Sequence, residues 1–220
     1  MLEEILPPEV AVVETHDDPE VALFPGEAAL VAGAVEKRRR EFATVRHCAR
    51  TALAQLGYPP VAVLTGARGR PIWPDGVVGS MTHCEGYRAA ALAHADVLAA
   101  IGVDAEPHAP LPEGVLDAVS LPAERDHLAA LTAGSPRVAW DRLLFSAKES
   151  VYKAWFPLAE RWLDFSEADL RFDPAGTFHA RLLVPGPVLA GADTPLTAFT
   201  GRFRIADGFV LTAVTVPVPN

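Results

Sequence analysis

The sequence predicts an α+β protein of two similar α/β halves. Two observations support this fold class: a segment of helical composition followed by short strand-like segments occurs twice along the 220 residues, and loops rich in proline and glycine form the only breaks in composition. Half of the residues are hydrophobic, so a chain of this length can bury a sizeable core. One break, at residues 107–112, separates the two series. We therefore expect an N-terminal half over residues 1–107 and a C-terminal half over residues 108–220.

The first series begins with residues 26–56, which are rich in Ala, Glu, Arg and Leu and favour one or two helices. Gly57, followed by Pro59 and Pro60, is typical of a helix end. Apolar runs separated by turn-forming residues come next and predict short strands. These strands are expected over residues 61–64, 77–81, 87–93 and 97–104.

The second series begins with helical segments at residues 122–131 and 137–156. We expect the second helix to end before Pro157, because proline has no N–H to donate inside a helix. Strands are predicted over residues 178–184, 196–205 and 209–216. The last two are separated by Asp207 and Gly208, a two-residue hairpin signal.

Composition narrows the classes of function. The formal net charge of −9 argues against a general nucleic-acid binder, since that function relies on many lysines and arginines. The acidic start, Met1-Leu2-Glu3-Glu4, is unlike a secretory signal, and no apolar run approaches the roughly 18 residues of a membrane span. We therefore expect a cytoplasmic protein that does not bind membranes. Cys48 and Cys84 are too few for a disulfide framework and are expected to be reduced and packed.

A pair of carboxylates follows the predicted strand over residues 97–104. Side chains alternate along a strand, so Asp104 and Glu106 project from the same face, roughly 7 Å apart, and repel by about 2 kcal/mol at an effective dielectric near 20. A cation would offset that repulsion, and Mg²⁺ is typically held by one or two carboxylates together with substrate phosphates. The alternative is two solvated acids at an exposed strand end.

A second group lies on the predicted helix over residues 137–156. At 3.6 residues per turn, Glu149 and Lys153 lie on neighbouring faces together with aromatic side chains, as at the lip of a pocket. The alternative is an ordinary surface pair, which is worth only about 0.3–0.5 kcal/mol.

Two further segments could bind phosphate. The strand predicted from Val77 leads into Thr82 and His83, which could contact phosphate oxygens together with backbone N–H groups. Residues 36–41 form a basic run that continues to Arg46 and Arg50 in the same helical segment. In each case the alternative is structural, namely a packed histidine and a solvated helix face. Zinc at the two His-Cys pairs is disfavoured, because the usual Cys-x-x-Cys spacing is missing.

Two segments that carry these residues resemble the signature motifs of the 4'-phosphopantetheinyl transferases. They are Gly102-Val-Asp104-Ala-Glu106 and Phe145-Ser-Ala-Lys148-Glu149-Ser-Val-Tyr-Lys153. Residues 73–87 are similar to a further motif of the branch that contains Sfp and enterobactin synthetase component D, and the chain resembles the actinobacterial type. The resemblance covers roughly residues 36–156.

The resemblance implies a fold and a reaction. In that family, a monomer of two pseudo-symmetric α/β halves binds coenzyme A in the cleft between them. The reaction moves the 4'-phosphopantetheine arm of coenzyme A onto a serine of an apo acyl or peptidyl carrier protein and releases adenosine 3',5'-bisphosphate. It depends on Mg²⁺, with Mn²⁺ as an alternative.

The resemblance also assigns roles to residues. Asp104, Glu106 and Glu149 would hold the metal. From the chemistry of the reaction we further expect Glu149, directly or through a water, to take the proton of the carrier serine, with Lys153 and Asp104 completing the catalytic group. The positions that would bind coenzyme A are Arg38, Arg46, Arg50, Arg68, Arg70, Thr82, His83 and Lys153.

Two points limit this comparison. Relatives often carry a lysine where this chain has Thr65, and Arg68 is a candidate substitute. The helix register leaves open which of Arg38, Arg39 and Arg40 faces the ligand.

The sequence contains little information about how the carrier protein binds. Carrier proteins in this system are generally acidic and so is this chain, so overall charge does not explain their encounter. We predict an apolar docking patch with Trp155, Phe156 and Trp162 as anchors; the alternative is that these residues belong to the core. Two other functions stay open, a Mg²⁺-dependent nucleotide phosphohydrolase and a coenzyme A binding module without catalytic activity.

Overall fold

Helices and sheets are mixed along residues 1–219, the residues that the computed structural model describes. The helices are Pro25–Leu30 (α1), Glu36–Gln55 (α2), Val115–Val119 (α3), Pro122–Gly134 (α4) and Trp140–Ala159 (α5). The strands are Ala11–Thr15 (β1), Leu64–Thr65 (β2), Pro71–Ile72 (β3), Val77–Cys84 (β4), Tyr87–His94 (β5), Leu98–Pro107 (β6), Ala168–Asp173 (β7), Thr177–Leu182 (β8), Ala198–Ala206 (β9) and Phe209–Pro217 (β10). The predicted α+β class is confirmed.

The strands form antiparallel sheets. One has the order β1-β5-β4, a larger one has the order β6-β10-β9-β8-β7, and β2 pairs with β3. The β9–β10 hairpin turns through Asp207, with φ of 50°, and Gly208, with φ of 83°. Two positive φ values are what a type I′ turn requires, so the predicted hairpin is confirmed.

Side-chain hydroxyls connect the two larger sheets, the three-stranded sheet β1-β5-β4 and the five-stranded sheet β6-β10-β9-β8-β7. Ser80 Oγ on β4 accepts a hydrogen bond from Val103 N (3.1 Å), and Thr82 Oγ1 accepts one from Ala105 N (3.0 Å). The hydroxyls thus take the place of the backbone carbonyls that a neighbouring strand would offer to β6. As a result, the end of β4 lies beside Asp104, with Thr82 Oγ1 3.3 Å from Asp104 Oδ1.

One long helix packs on each of the larger sheets. α2 buries Ala49 and Leu53 against Leu92 of β5, and α5 packs on β6 and β10. Gly102 on β6 permits the second contact, because a Cβ atom at this position would lie 1.9 Å from the carbonyl oxygen of Ser150. The helix contact therefore explains the glycine of this motif.

Helix α5 continues through Pro157 and ends at Ala159, so the predicted end before Pro157 is wrong. Pro157 lies in the last turn, where its fixed φ suits a helix and the missing N–H removes a hydrogen bond only at the helix end. Glu160 follows in the left-handed conformation, with φ of 50°, and terminates the helix.

The strand predicted over residues 61–64 is also wrong for most of its length, because pairing begins only at Leu64. Val63 is buried and its N–H donates to Glu27 Oε1 (2.9 Å), so a carboxylate satisfies the group that a strand would pair. β1, β3, α3 and β7 were not predicted from the sequence. They have 5, 2, 5 and 6 residues, too few for a clear periodic pattern.

Both cysteines are free, as predicted. Cys48 is buried and Cys84 is partly exposed. Burial raises the pKa of Cys48 to about 11 and, with the nearby acids Glu106 and Asp104, that of Cys84 to about 12. Both thiols therefore stay protonated at neutral pH. Separately, no helix within residues 1–219 has the length and apolar character needed to cross a membrane.

Candidate active site

A cavity of about 750 Å³ lies between α2, the β2–β3 hairpin, β4 and α5. Its volume is in the range of sites that bind cofactors and other small molecules. Basic and acidic side chains that are far apart in the sequence meet in its wall. The residues predicted from the sequence that line it are Arg38, Arg46, Arg68, Arg70, His83, Glu149, Lys153 and Phe156, whereas Arg50, Thr82, Asp104 and Glu106 are not part of the lining.

Of the first three arginines of α2, Arg38 is the one that lines the cavity. Arg38 Nη1 donates to His83 Nε2 at the end of β4. Arg39 donates to a backbone carbonyl ahead of the helix (2.8 Å), and Arg40 pairs with Glu36 (3.6 Å) on the exposed surface. The packing of α2 thus separates three positions that the sequence could not.

His83 is held in its neutral form. Burial lowers the pKa of His83 to about 4, and the nearby cations Arg38 and Lys153 act in the same direction. A neutral ring that accepts a hydrogen bond at Nε2 carries its proton at Nδ1. An anion in the cavity would therefore meet the charge of Arg38 and a neutral group at His83.

Arg46 is buried in the cavity wall. Its guanidinium carbon lies 3.6 Å from the centre of the Phe42 ring, and Nη2 donates to Thr65 Oγ1 (3.2 Å). Burial lowers the pKa of Arg46 to about 10, which still leaves the group charged at neutral pH. Thr65 is thus the partner of a buried arginine. Arg68 and Arg70 lie in the loop between β2 and β3 and complete the basic part of the wall.

Arg50 lies outside the cavity lining. It forms an ion pair with Glu27 (2.8 Å) and donates to Ala22 O (3.2 Å). Glu27 is fully buried and also accepts from Val63 N. The guanidinium holds α1 against α2, so the structure separates Arg50 from the other predicted coenzyme A contacts.

Asp104 is buried between β4 and α5. Lys153 Nζ donates to Asp104 Oδ1 (2.8 Å) and to Val103 O (3.0 Å), and Thr82 Oγ1 donates to the same Asp104 oxygen (3.3 Å). The second oxygen, Oδ2, is buried and has no hydrogen-bond partner within residues 1–219. Buried polar atoms are nearly always paired, so this oxygen fits a ligand of a cation.

Glu106 pairs with Arg142 (2.9 Å), a residue that was not predicted from the sequence. Arg142 lies in the first turn of α5, about three helical turns before Lys153, and residues so spaced share a helix face. That spacing is the signal that could have identified it. α5 thus provides one cation for each carboxylate of β6.

Three carboxylates share one electrostatic neighbourhood. Burial raises the pKa of Glu106, and the charge of Asp104 adds to the effect. Burial also raises the pKa of Glu149; Lys153 opposes this shift, while Asp104 and Glu106 add to it. Within residues 1–219, however, no three His, Cys, Asp or Glu side chains converge on one metal-binding point. The acids fit a metal by their oxygen chemistry and by the unpaired Asp104 Oδ2, although they do not form a preassembled cage.

A smaller cavity of about 80 Å³ shares Glu149 and Tyr152 with the large one. Trp162 and Phe165 form other parts of its wall. The ring centroids of Tyr152 and Trp162 are 4.8 Å apart, and the Tyr152 hydroxyl is buried without a hydrogen-bond partner in the described part of the chain. This aromatic space suits an apolar chain that carries an occasional polar group.

The three aromatic residues predicted as docking anchors differ in exposure. Trp155 is fully buried and donates to Arg161 O (2.8 Å), and Phe156 is only 7% exposed. The anchor prediction is therefore wrong for these two residues, because Trp155 belongs to the core and Phe156 lines the large cavity. Trp162 is 49% exposed.

Comparison with known proteins identifies the family. A model described as the 4'-phosphopantetheinyl transferase N-terminal domain matches residues 26–93, and one described as the 4'-phosphopantetheinyl transferase superfamily matches residues 100–212. The chain is 60% identical over 212 residues to the 4'-phosphopantetheinyl transferase Svp of Streptomyces mobaraensis, which covers 96% of this chain and 85% of that protein. Identity to Npt of Nocardia iowensis is 56% over 223 residues (97% and 99% covered), and to PptT of Mycobacterium tuberculosis 49% over 214 residues (94% and 92%). The chain therefore belongs to the 4'-phosphopantetheinyl transferase family, enzymes that transfer phosphopantetheine to carrier proteins.

Proposed function

We propose that this transferase requires Mg²⁺, takes the arm from coenzyme A and releases adenosine 3',5'-bisphosphate. The observation that carries the proposal is the large cavity, in which four arginines and His83 meet Glu149 and Lys153. Coenzyme A carries a diphosphate and a 3'-phosphate, and guanidinium groups match phosphate oxygens in geometry and charge. The proposed contacts to coenzyme A are Arg38, Arg46, Arg68, Arg70, His83 and Lys153. Thr82, predicted from the sequence as a further contact, is buried outside the cavity lining and bonds to Ala105 N and Asp104, so it supports Asp104 instead.

Asp104, Glu106 and Glu149 are the proposed metal ligands. The buried Asp104 Oδ2, unpaired among the described residues, supports this assignment. When bound, Mg²⁺ would neutralise charge on the diphosphate, and Mn²⁺ accepts the same oxygen ligands. A cation would also offset the repulsion that contributes to the raised pKa values of Glu106 and Glu149.

Glu149 and Lys153 divide the chemistry. Glu149, whose pKa burial raises, takes the proton of the carrier serine directly or through a water as the serine oxygen attacks the phosphorus that bears the arm. The bond from that phosphorus to the bridging oxygen of the diphosphate breaks, and adenosine 3',5'-bisphosphate leaves with the electron pair. Lys153, one helical turn after Glu149, stabilises the charge that develops on the phosphate oxygens.

The aromatic cavity is the proposed site for the far end of the pantetheine arm. It adjoins Glu149, where the reacting phosphate must lie, and its wall of Tyr152, Trp162 and Phe165 is largely apolar. The buried Tyr152 hydroxyl could donate to an amide oxygen of the arm. Of the three predicted docking anchors, Trp162 is the one that is half-exposed. It supports a docking surface for the carrier protein beside the aromatic cavity.

The proposed architecture is two pseudo-symmetric halves with the large cavity between them. In the three-stranded sheet the first strand, β1, pairs with β5, and in the five-stranded sheet the first strand, β6, pairs with β10. This correspondence makes β6 the first strand of the second half. It therefore favours a boundary before β6 over one at residues 107–112. Each half has a fully buried glutamate in the first turn of a helix that starts with proline, Glu27 in α1 and Glu124 in α4. Each glutamate pairs with a basic residue of the long helix, at 2.8 Å with Arg50 and at 2.9 Å with Lys148. That the enzyme acts as a cytoplasmic monomer stays a prediction.

The decisive experiment measures carrier mass after incubation with coenzyme A and Mg²⁺. Glu149→Gln should lower turnover at least about 100-fold, as expected for loss of a general base, while calorimetry shows coenzyme A binding retained. Glu113→Gln, a substitution at an exposed position, is the matched control. Near-normal turnover by Glu149→Gln at saturating Mg²⁺ would eliminate the proposed base, and release of phosphopantetheine without any carrier would indicate the phosphohydrolase instead.

A further inference from the structure

Arg142 uses all three nitrogens of its guanidinium group on Glu106 and the loop that follows. Nη1 donates to Glu106 Oε2 (2.9 Å), Nε donates to Ala109 O (3.1 Å) and Nη2 donates to Pro110 O (3.0 Å). The guanidinium plane is rigid, so three contacts define the position of the carboxylate relative to the loop. The side chains of Arg142 and Glu106 are 17% and 21% exposed, which shields the pair from water.

The same loop is fastened to the start of α5 by two more hydrogen bonds. Leu111 N donates to Asp141 Oδ2 (2.8 Å), and Ala139 N donates to His108 Nε2 (3.1 Å). Glu106 and the first turn of α5 therefore form one ordered unit, although Arg142 and Glu106 are 36 residues apart in the sequence.

The two carboxylates of β6 are held in the same manner. Lys153 engages Asp104 through Oδ1, and Arg142 engages Glu106 through Oε2. In each pair a cation of α5 contacts one carboxylate oxygen. A carboxylate that a neighbour already orders loses less rotamer freedom when it binds a metal, so such partners raise metal affinity.

We propose that Arg142 is a positioning residue for the metal, which orders Glu106 so that the carboxylate can join Asp104 and Glu149 at the cation. This inference rests on the metal site proposed above. The positive charge of Arg142 would by itself repel a dication. Positioning and charge repulsion therefore predict opposite effects when the arginine is removed.

The test is a Mn²⁺ titration followed by the electron paramagnetic resonance signal of the free ion, with coenzyme A present and a blank of coenzyme A alone. Arg142→Met should raise the Mn²⁺ dissociation constant about tenfold, in line with the usual effect of removing a group that orients a ligand. Arg142→Lys keeps the charge without the fork and should fall between Arg142→Met and the wild type. Arg125→Met is the matched control, because Arg125 of α4 donates to Ser120 and not to β6.

Unchanged or tighter Mn²⁺ binding by Arg142→Met would overturn the inference while the proposed metal site still stands. If the wild-type protein binds no Mn²⁺ beyond that bound in the coenzyme A blank, the metal site falls and the inference falls with it. Circular dichroism identifies variants that do not fold. Should Arg142→Met be one of them, Arg142→Gln and Arg142→Lys are measured in its place, with weaker Mn²⁺ binding again expected.

Discussion

Lys153 illustrates how single residues of the site are used. Its ammonium contacts Asp104 on β6, so the reading of Glu149 and Lys153 as an ordinary surface pair is wrong. The side chain of Lys153 is 27% exposed, and that of Asp104 is 8% exposed, which places the pair at the edge of solvent. A partly exposed ammonium next to a buried carboxylate can contact an anionic ligand and keep its protein partner.

The low pKa of His83 should make the stability of the protein depend on pH. Its native pKa of about 4 lies below the ordinary value of 6.5, so between these values the unfolded chain binds a proton that the native protein does not. The free energy of unfolding should therefore fall as the pH drops from about 7 to about 4, and His83→Asn should remove this contribution. Urea unfolding over that pH range measures the difference between variant and wild type. His179→Asn on β8 is a control with an exposed histidine, and equal slopes for all three proteins would refute the prediction.

At the scale of elements, the contact between α5 and β6 determines where the reacting groups lie. The helix carries Arg142, Glu149 and Lys153, and the strand carries Asp104 and Glu106. Ser150 O approaches Gly102 so closely that the strand has no space for a side chain at that point. Backbone contact between the two elements thus sets the distances between their side chains.

Gly102→Ala should destabilise the protein strongly. The added Cβ would lie 1.9 Å from Ser150 O, and a backbone atom cannot move aside as a side chain can. We expect a loss of about 3 kcal/mol or more, at the upper end of overpacking effects. Urea unfolding measures it. Gly134→Ala is the matched control, since a Cβ there meets no atom within 4 Å; similar stabilities for the two variants would contradict the argument.

The buried pair of Lys148 with Glu124 should matter far more than an exposed pair. Glu124 is fully buried and Lys148 Nζ is 2.9 Å away, so Lys148→Met leaves an unpaired charge in the interior. The expected loss is about 3–5 kcal/mol of unfolding free energy. The side chain of Arg181, which pairs with Asp169, is 60% exposed. Arg181→Met should therefore lower the free energy of unfolding by less than about 1 kcal/mol. Chemical denaturation compares them, and equal losses would disprove the distinction.

At the scale of the whole molecule, the two larger sheets and their helices form one connected structure. The hydroxyls of Ser80 and Thr82 bond across the junction, and the large cavity takes its wall from α2 and α5 together. A ligand that fills this cavity would contact α2 and α5, two helices far apart in the sequence. Binding should therefore stabilise the molecule as one unit.

Coenzyme A at a hundred times its dissociation constant should raise the free energy of unfolding by about 2.7 kcal/mol in a single transition. Trp73, near the three-stranded sheet, and Trp140, at the start of α5, report on different regions through fluorescence. Variants in which Trp73 or Trp140 is the single tryptophan retained of the four would separate their signals. Two transitions, of which coenzyme A shifts only one, would contradict the connected structure.

The sequence by itself determined the fold class, the family and most of the charged side chains that line the cavity. Strand alternation puts Asp104 and Glu106 on one face, helical period puts Glu149 and Lys153 one turn apart, and Asp207 with its glycine neighbour specifies a hairpin. These relations are local, because they depend on residues within a few positions of each other. Local geometry is encoded in the order of residues, so it can be inferred without knowing what packs against it.

Only the tertiary structure decided which partner each side chain has. It turned Arg38 into the cavity, committed Arg50 to Glu27 and joined Arg142 to Glu106, and it buried Trp155 in the core. Each outcome depends on which helix face meets which sheet. That choice is made by the packing of segments distant in sequence, because the free energy of burying a face depends on the surface that covers it.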